Sequence, residues 1–369
     1  MDAARVLVVN AGSSSVKLRV VEPDDSVTLR EDLGAPGDGF AEQLASFVER
    51  AGPVEVAGHR LVHGGDRFAR PVAIDDRARR SLGELSELAP LHNPPALAAV
   101  DALARSSPDV LSVACFDTSF HRSLPAAAST YPLPGEWRRR WGLRRYGFHG
   151  LSCIWAIRRA AAMLGGELPR RTIVCHLGSG ASVTAVVDGC SADTTMGFSP
   201  LEGLVMATRP GDLDPGIFSW LLAHGVDRVD IDHALEHRCG LAALAERPSG
   251  DMRGLLRARE AGDDLARLAI EVYLHRLVAK IAAMAAAARG IDLLVFTGGV
   301  GEGAAQVRSE TAERLDWLGV ELDAEANSGV VGADEEISAP GGSVRTLVVH
   351  AREDLVIAGE CRRLLAGQA

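Results

Sequence analysis

Residue types that could take a phosphate or a carboxylate recur at set places along this 369-residue chain. The stretch 172–188, TIVCHLGSGASVTAVVD, carries an apolar run into a Gly-Ser-Gly turn and a second apolar run into an acid. Residues 6–22, VLVVNAGSSSVKLRVVE, have the same layout 166 positions earlier. That offset aligns Asn10 with His176, Gly12 with Gly178, Ser13 with Ser179 and Glu22 with Asp188. Each copy reads as strand, tight polar turn, strand, and small turn residues leave backbone N–H groups open to an anion. One hairpin is weak evidence; two suggest a duplicated domain with a phosphate-binding loop in each half. Lys17, one of two lysines beside Lys280, follows the first turn.

Other candidates lie on loops. Arg60, His63 and Asp66 sit among glycines in GHRLVHGGDRF, where side chains and backbone can approach a ligand, although a surface loop with a salt bridge would read alike. Asp117 ends the apolar run VLSVACFD. An acid at the carboxyl end of an interior strand is where open α/β sheets put ligand-contacting groups; capping of the next turn through Thr118 or Ser119 is the other reading. Arg209 lies in the loop-rich stretch 193–216, and long loops in compact domains tend to be functional. Residues 291–315 form a strand–Gly-loop–helix pattern whose N–H groups suit phosphate or ribose. Glycines 298, 299, 301 and 303 miss the GxGxxG spacing, and no GxxxxGK[ST] occurs.

The elements that must position these residues alternate as in an α/β protein. A short amphipathic helix is predicted within 31–53, then a strand into 54–68. Asn93, with Pro94 and Pro95 behind it, reads as a helix cap, which puts His92 at a helix N-terminus. A helix is predicted over 152–163, helical sequence interrupted by PSGDMRG over 235–256, and a long, nearly all-round apolar helix over 263–288 for the core or a subunit interface. The Pro-, Trp- and Arg-rich residues 125–146 read as the connection between halves, and 345–354 as a last strand before a helix over 355–365. A net charge of −10 argues against a nucleic-acid surface. No apolar run reaches the ~18 residues of a membrane span, and the early first strand leaves no room for a signal peptide. Six scattered cysteines without a CxxC pair fit reduced thiols in the cytoplasm.

Ten words in order, NAGSSSVK, GHRLVHGG, LAPLHNPP, FDTSFH, YGFHG, HLGSGAS, TTMGFSPLEGL, TRPGDLDPG, DMR and FTGGVGE, make the chain resemble acetate kinases, within the actin-like ATPase superfamily that includes sugar kinases. The resemblance implies an α/β fold of duplicated ribonuclease-H-like (actin-like ATPase) domains with an interdomain cleft. Residues 1–119 plus 355–369 would be the acyl and metal side, and 120–354 the nucleotide and dimer side. It implies a homodimer in the cytoplasm that acts on acetate or acetyl phosphate with ATP or ADP as co-substrate and Mg²⁺, for which Mn²⁺ can substitute, and that binds neither nucleic acid nor membrane. Asn10 and Glu353 would position the metal, and Lys17 would contact ATP. Arg60 would bind the substrate carboxylate, with Val62, Leu91, His92, Phe148 and Pro200 around the acyl group. Asp117 would be the catalytic acid, and His149 and Arg209 would stabilise the transition state. His176, Leu177, Gly178, Ser179, Gly180, Asp251, Met252, Arg253, Gly298, Gly299, Val300, Gly301 and Glu302 would hold the nucleotide.

In-line phosphoryl transfer is mostly positioning plus cationic and metal stabilisation, and two arginines suit it because each presents a planar fork to oxygen pairs. A carboxylate nucleophile with a pKa near ~4 needs no base at pH 7. Asp117 is therefore expected to act through the metal or by orienting Arg60 or Arg209. The chain departs from the family at Ser179 (for Asn), Cys153 (for His), Ala207 (for Gly) and Arg352 (for Asn). The rival activities are a propionate or other short-chain acyl kinase and a catalytically silent nucleotide-binding regulator of the same fold.

Overall fold

The structure, a computed structural model, describes residues 4–12 and 15–367. Contacts divide the chain into two compact units: one runs to Arg122 and adds Phe148–Trp155 and the residues from Arg352 onward, and the other comprises Ser123–Gly147 and Ala156–Ala351.

Unit one holds β1 (Val6–Ala11), β2 (Ser15–Val21), β3 (Val27–Gly34), β4 (Val56–Leu61), β5 (Val72–Ala73) and β6 (Leu111–Phe116), in the sheet order β3-β2-β1-β4-β6-β5. β1, β4 and β6 are parallel, and β1-β2-β3 is an antiparallel meander. Unit two holds β7 (Arg171–Leu177), β8 (Ala181–Val187), β9 (Cys190–Thr194), β10 (Leu293–Thr297), β11 (Glu335–Glu336) and β12 (Arg345–Val348), in the order β11-β12-β10-β7-β8-β9. Strand for strand, with the same senses, this is the first sheet again. Even the register shift between second and third strands recurs, at Val20/Val21 and at Ala185/Val186. The duplication expected from the two hairpins is a duplication of the whole sheet.

Strands flanked by helices on both faces read as continuous apolar runs, and the run VLVVNA behaves so. Leu7, Val9 and Ala11 face a core built with helices Phe40–Ala51 and Asn93–Ser106. Val6 and Val8 face Val356, Ile357 and Cys361 of the terminal helix Glu353–Leu365. That helix lies hard against the sheet centre: a Cβ on Gly58 would come within 2.7 Å of the Cys361 sulfur and strike Ile357.

Several expected boundaries move. The terminal helix begins at Glu353, two residues before the predicted start, which makes Glu353 a first-turn residue. Asn93 does not cap its helix. Its side chain grips His63, accepting from the backbone N–H at 3.2 Å and donating to the carbonyl at 3.0 Å. The 235–256 segment resolves into parts of three helices, Arg228–His237, Gly240–Leu244 and Met252–Glu260. The long helix Asp264–Ala288 is buried along the stripe that includes Ala266, Ile270, Leu274, Leu277 and Ile281, and Leu265 and Leu268 stay exposed. No helix among the described residues is long and apolar enough to cross a membrane.

Two buried histidines of unit one have consequences for stability. His59 Nε2 lies 3.2 Å from the Ser112 hydroxyl, and His121 Nε2 donates to the Phe148 carbonyl at 2.8 Å. Burial pushes both imidazoles down to about 4, from an ordinary 6.5. Below about 6.5 the unfolded chain takes up protons that the folded chain refuses until about 4, so stability is full above that window and falls as pH drops through it, by up to roughly 3 kcal/mol per histidine. We expect Tm to fall from pH 7 to pH 4.5, and His121→Gln, which keeps an N–H donor, to fall less steeply than wild type. Parallel Tm–pH curves for the two proteins would refute this.

Candidate active site

Strand parity gathers the unit-one residues. Asn10 stands opposite Lys17 across β1–β2 and opposite Arg60 across β1–β4. Arg60 stands opposite Cys115 across β4–β6. Asp117 is the next residue on that face, its N–H bonded to the Leu61 carbonyl at 3.1 Å. Side chains alternate faces along a strand, so Lys17, Asn10, Arg60 and Asp117 all project on the side of helix Glu353–Leu365, the last three at the carboxyl ends of parallel strands and Lys17 beside them near the start of antiparallel β2. The first-turn residue Glu353 completes the group.

The hydrogen bonds are specific. Arg60 donates to Asp117 through Nε at 3.1 Å and Nη2 at 2.5 Å, and to Asn10 Oδ1 through Nη1 at 3.2 Å. Asn10 Nδ2 donates to Glu353 Oε2 at 3.0 Å, and that oxygen is 3.8 Å from Arg60 Nε. The Asp117 side chain is 0% exposed, and those of Arg60 and Glu353 are 15%. Burial pushes the Asp117 carboxyl up to about 6, with Glu353 adding to the rise and Arg60 opposing it. Burial alone would lower Arg60, but Asp117 and Glu353 overcome it and raise the guanidinium above its ordinary value. Arg60 is therefore a permanent cation. Three of its five N–H bonds are engaged, leaving two for another acceptor. Two carboxylates on one guanidinium leave an oxygen-rich, net negative group, the donor set that suits a hard divalent cation such as Mg²⁺. No cluster of three His, Cys, Asp or Glu able to hold a metal exists among the described residues, so such an ion would need phosphate oxygens or water to complete its shell. Lys17 is exposed and makes no ion pair among the described residues.

His149 is one of five non-glycine residues with positive φ among the described residues, at 59°. Its carbonyl accepts from Cys153 N–H at 2.9 Å and opens helix Gly150–Met163. Gly150 N–H donates to the Asp117 carbonyl at 2.9 Å, and a Cβ there would strike that carbonyl and meet Phe120 Cβ at 2.8 Å. Glycine is what lets the helix start touch Asp117. Val62 and Phe148 are buried, and Leu91 and His92 half-buried. The His63 ring packs edge-on to Phe148 at 5.6 Å, while the Asn93 clamp and a bond from Gly64 N–H to Thr118 Oγ1 at 3.1 Å tie these loops to the Asp117 turn. Asp66 is exposed, and its carbonyl accepts from Arg122 Nη1 at 3.2 Å.

Unit two repeats the row without its charge. His176 stands opposite Ser182 and Thr297, which take the places of Lys17 and of Arg60. The open-amide reading of the two turns needs correction: Gly178 N–H is engaged by the Gly180 carbonyl at 3.0 Å, and Gly12 N–H by Ser15 at 2.8 Å. Closing a turn this tight uses its first donor. Ser13 lies outside the described residues. Ser179 is exposed, and its carbonyl accepts from Ala207 N–H at 3.1 Å, tying the Leu177–Gly180 turn to the Arg209 loop.

Gly298, at φ 78°, sits against the Leu177 carbonyl, where a Cβ would come within 2.8 Å. Gly299 is exposed, Val300 half-buried and Gly301 buried. Glu302 turns inward, accepting from Gly298 and Ala351 N–H groups at 2.9 Å each and pairing with His350. Asp251 caps helix Met252–Glu260 through Gly254 N–H, Met252 is buried and Arg253 exposed. Arg209 is half-buried and donates to the Pro200 carbonyl at 2.7 Å; burial lowers its pKa and Glu236 holds it up.

The sequence reading missed the braces behind these loops. Buried Arg308 donates to the Gly301 and Glu302 carbonyls at 2.9 and 2.8 Å. An arginine inside a helical stretch reads as surface, and no local pattern marks this one.

The paired sheets define the actin-like ATPase fold, which a ROK family protein from Streptococcus pneumoniae shares at 10% identity and TM-score 0.50 over 99% of this chain and all of its own. Within that fold the chain belongs to the acetokinase family, whose profile matches residues 39–359. It is 43% identical to an acetate kinase of Pseudarthrobacter chlorophenolicus over 98% of this chain and 99% of that one. With one from Gloeobacter violaceus it shares 47% over 84% and 76%. Among solved structures it resembles Porphyromonas gingivalis acetate kinase (33% identity, TM-score 0.89, covering 98% and 100%) and a propionate kinase from Francisella tularensis (32%, TM-score 0.90, covering 98% and 99%).

The Gly150 contact gives a direct test of how tightly this group is built. We expect Gly150→Ala to lower the urea midpoint by an amount worth ~1–3 kcal/mol, the usual cost of an overpacked contact. An unchanged midpoint would mean the helix start can retreat from Asp117 freely.

Proposed function

We propose that the protein is an acetate kinase, transferring the γ-phosphoryl group of ATP reversibly to acetate by direct in-line displacement. The observation that carries the reading is the Asn10–Arg60–Asp117–Glu353 group at the strand ends, in a chain of the acetokinase family. A nucleotide-binding regulator would need loops for adenosine but not this charged group.

Arg60 uses its remaining N–H bonds on the acetate carboxylate, while Asp117 fixes the plane of its guanidinium. The acetate is already ionised, so no proton need be removed. Val62, Leu91, His92, Phe148 and Pro200 are the residues proposed for the methyl group. Arg209 and His149 stabilise the charge on the moving phosphoryl. Lys17, the Leu177–Gly180 turn with His176, residues 251–253 and the 298–302 loop take the nucleotide. Mg²⁺, or Mn²⁺ in its place, would be held by Glu353 beside Asn10; such an ion neutralises phosphate charge in phosphoryl transfer. Asn10 keeps the Glu353 carboxylate aimed.

Hydroxylamine trapping of acyl phosphate tests the reading with acetate, propionate and butyrate as acceptors. Acetate is expected to be preferred, though one methylene discriminates by only about 10–200-fold, and the resemblance to a propionate kinase makes that acid the rival. Tight Mg-ATP binding with no hydroxamate from any acid would sink the proposal. Arg60→Ala is expected mainly to raise KM for acetate. Arg209→Ala is expected to lower kcat by ~10³-fold, as for arginines at other transferring phosphoryl groups. Losses confined to ATP affinity in both variants would overturn the division of labour.

A homodimer in the cytoplasm completes the proposal. Helix Gly216–Ala223, GIFSWLLA, buries none of its residues and leaves Ile217, Trp220 and Leu222 43%, 59% and 50% exposed. An apolar helix in water favours self-association. No disulfide forms among the described residues, in keeping with a reducing compartment. In light scattering, Trp220→Glu with Leu222→Glu is expected to halve the mass of the wild-type particle; a wild type already monomeric would refute the dimer.

A further inference from the structure

In unit two the segment from Thr194 to Gly203 is folded around one guanidinium. Arg145 Nη1 donates to the carbonyls of Thr194, Thr195 and Met196 at 3.0, 3.0 and 3.1 Å. Its Nη2 donates to Glu202 Oε1 at 2.5 Å. The other carboxylate oxygen of Glu202 takes the Tyr131 hydroxyl, which in turn accepts Phe198 N–H at 2.9 Å. The guanidinium also lies 5.7 Å from the Tyr131 ring centre. Gly197 in the middle has no room for a side chain, because a Cβ would meet the Glu202 carboxylate carbon at 2.7 Å and the Tyr131 hydroxyl.

Three carbonyl oxygens converging on one nitrogen repel one another unless a cation sits among them. A planar fork that gives one nitrogen to the carbonyls and the other to a carboxylate is an arginine's geometry, which a lysine lacks. The shape of the segment therefore depends on Arg145, and Glu202 transmits it to Pro200 two residues away. The Pro200 carbonyl is what holds Arg209 Nη1, at 2.7 Å. Arg209 has no carboxylate within 4.0 Å among the described residues, so its aim follows that carbonyl.

We propose that Arg145, with Glu202 and Tyr131, is a positioning group for Arg209, setting the direction of its guanidinium through the Pro200 carbonyl. The inference rests on the phosphoryl-transfer role given to Arg209 above. Arg145 touches no reacting atom; it acts through the Pro200 segment on Arg209.

The test is a double-mutant cycle in the acyl phosphate assay. Arg145→Met is expected to lower kcat by ~10²-fold, the scale of a 1 Å misplacement, with KM for ATP within about threefold of wild type. In an Arg209→Ala background the same substitution should cost nothing further, because the group it positions is gone. Tyr131→Phe removes one hydroxyl and keeps the ion pair, so it serves if Arg145→Met fails to fold. Its smaller loss, about tenfold, should likewise vanish in the Arg209→Ala background. Losses that multiply in the double variants would overturn the inference, as would an unchanged kcat in the single ones. A wild type that makes no acyl phosphate would remove the functional reading and this inference with it. An active wild type with multiplying losses would remove the inference alone.

Discussion

The ion pair between Arg60 and Asp117 is the constraint on which unit one depends. Asp117 is wholly buried, and a buried carboxylate without its partner would cost several kcal/mol. The pair can form only if three things hold: β4 and β6 are parallel neighbours in the observed register, both residues sit on the same face, and the helix start at Gly150 leaves the Asp117 carbonyl in place. A one-residue slip of either strand would turn one partner to the opposite face, against the apolar core of Leu61 and Phe116. The apolar pattern and the ion pair thus specify the same register. Glu353 adds a second carboxylate beside the same cation, and surplus negative charge of that kind is what a metal-binding centre needs.

Unit two shows what the sheet does without that constraint. The topology is repeated, yet the positions equivalent to Asn10 and Arg60 are His176 and Thr297. The Thr297 hydroxyl is buried with no hydrogen-bond partner among the described residues. Its charges sit instead off the strands, Arg209 on a loop and Glu302 in the short helix Gly298–Gly303, each fixed by backbone groups. One fold has been used twice, once with the polar residues on the strands and once with them on the connections.

Which parts of this were legible in the sequence follows from the range of the interactions. The hairpins, the parallel strands and Asp117 at a strand end are written in local apolar patterns, and the matching family words extended that reading to every motif. Side-chain parity was legible too, since Val6, Val8 and Asn10 share a face by alternation alone. Long-range tertiary contacts were not. Asn93 has the right type to cap its helix, but a buried loop at His63 offered it two backbone partners and won. Gly12 and Gly178 promised open amides, and turn closure engaged both. Arg145 lies in the Pro-, Trp- and Arg-rich stretch that reads as the connection between halves, and only the fold brings three carbonyls around it. Residue type and spacing therefore located the chemistry, whereas the residues that hold it in place are visible only once the chain has closed on itself.

Arg60 and Arg209 are held in opposite ways, and the difference bears on the work proposed for each. Arg60 is locked by a carboxylate and flanked by another, so its charge is already balanced by its surroundings. Such a cation is a rigid template: it fixes the direction of an incoming carboxylate through its geometry more than its field. Arg209 is held by a carbonyl, which fixes its direction; Glu236 supports its charge without a direct ion pair, and desolvation lowers its pKa. A cation kept short of counter-charge gains most when negative charge builds up beside it, which is the electrostatic requirement at a phosphoryl group in transfer. A carboxylate in direct contact would steady Arg209 equally well and would neutralise the charge proposed for it. That is a physical reason for the chain to fold a whole loop around Arg145 so that a backbone carbonyl, rather than an acid, does the holding.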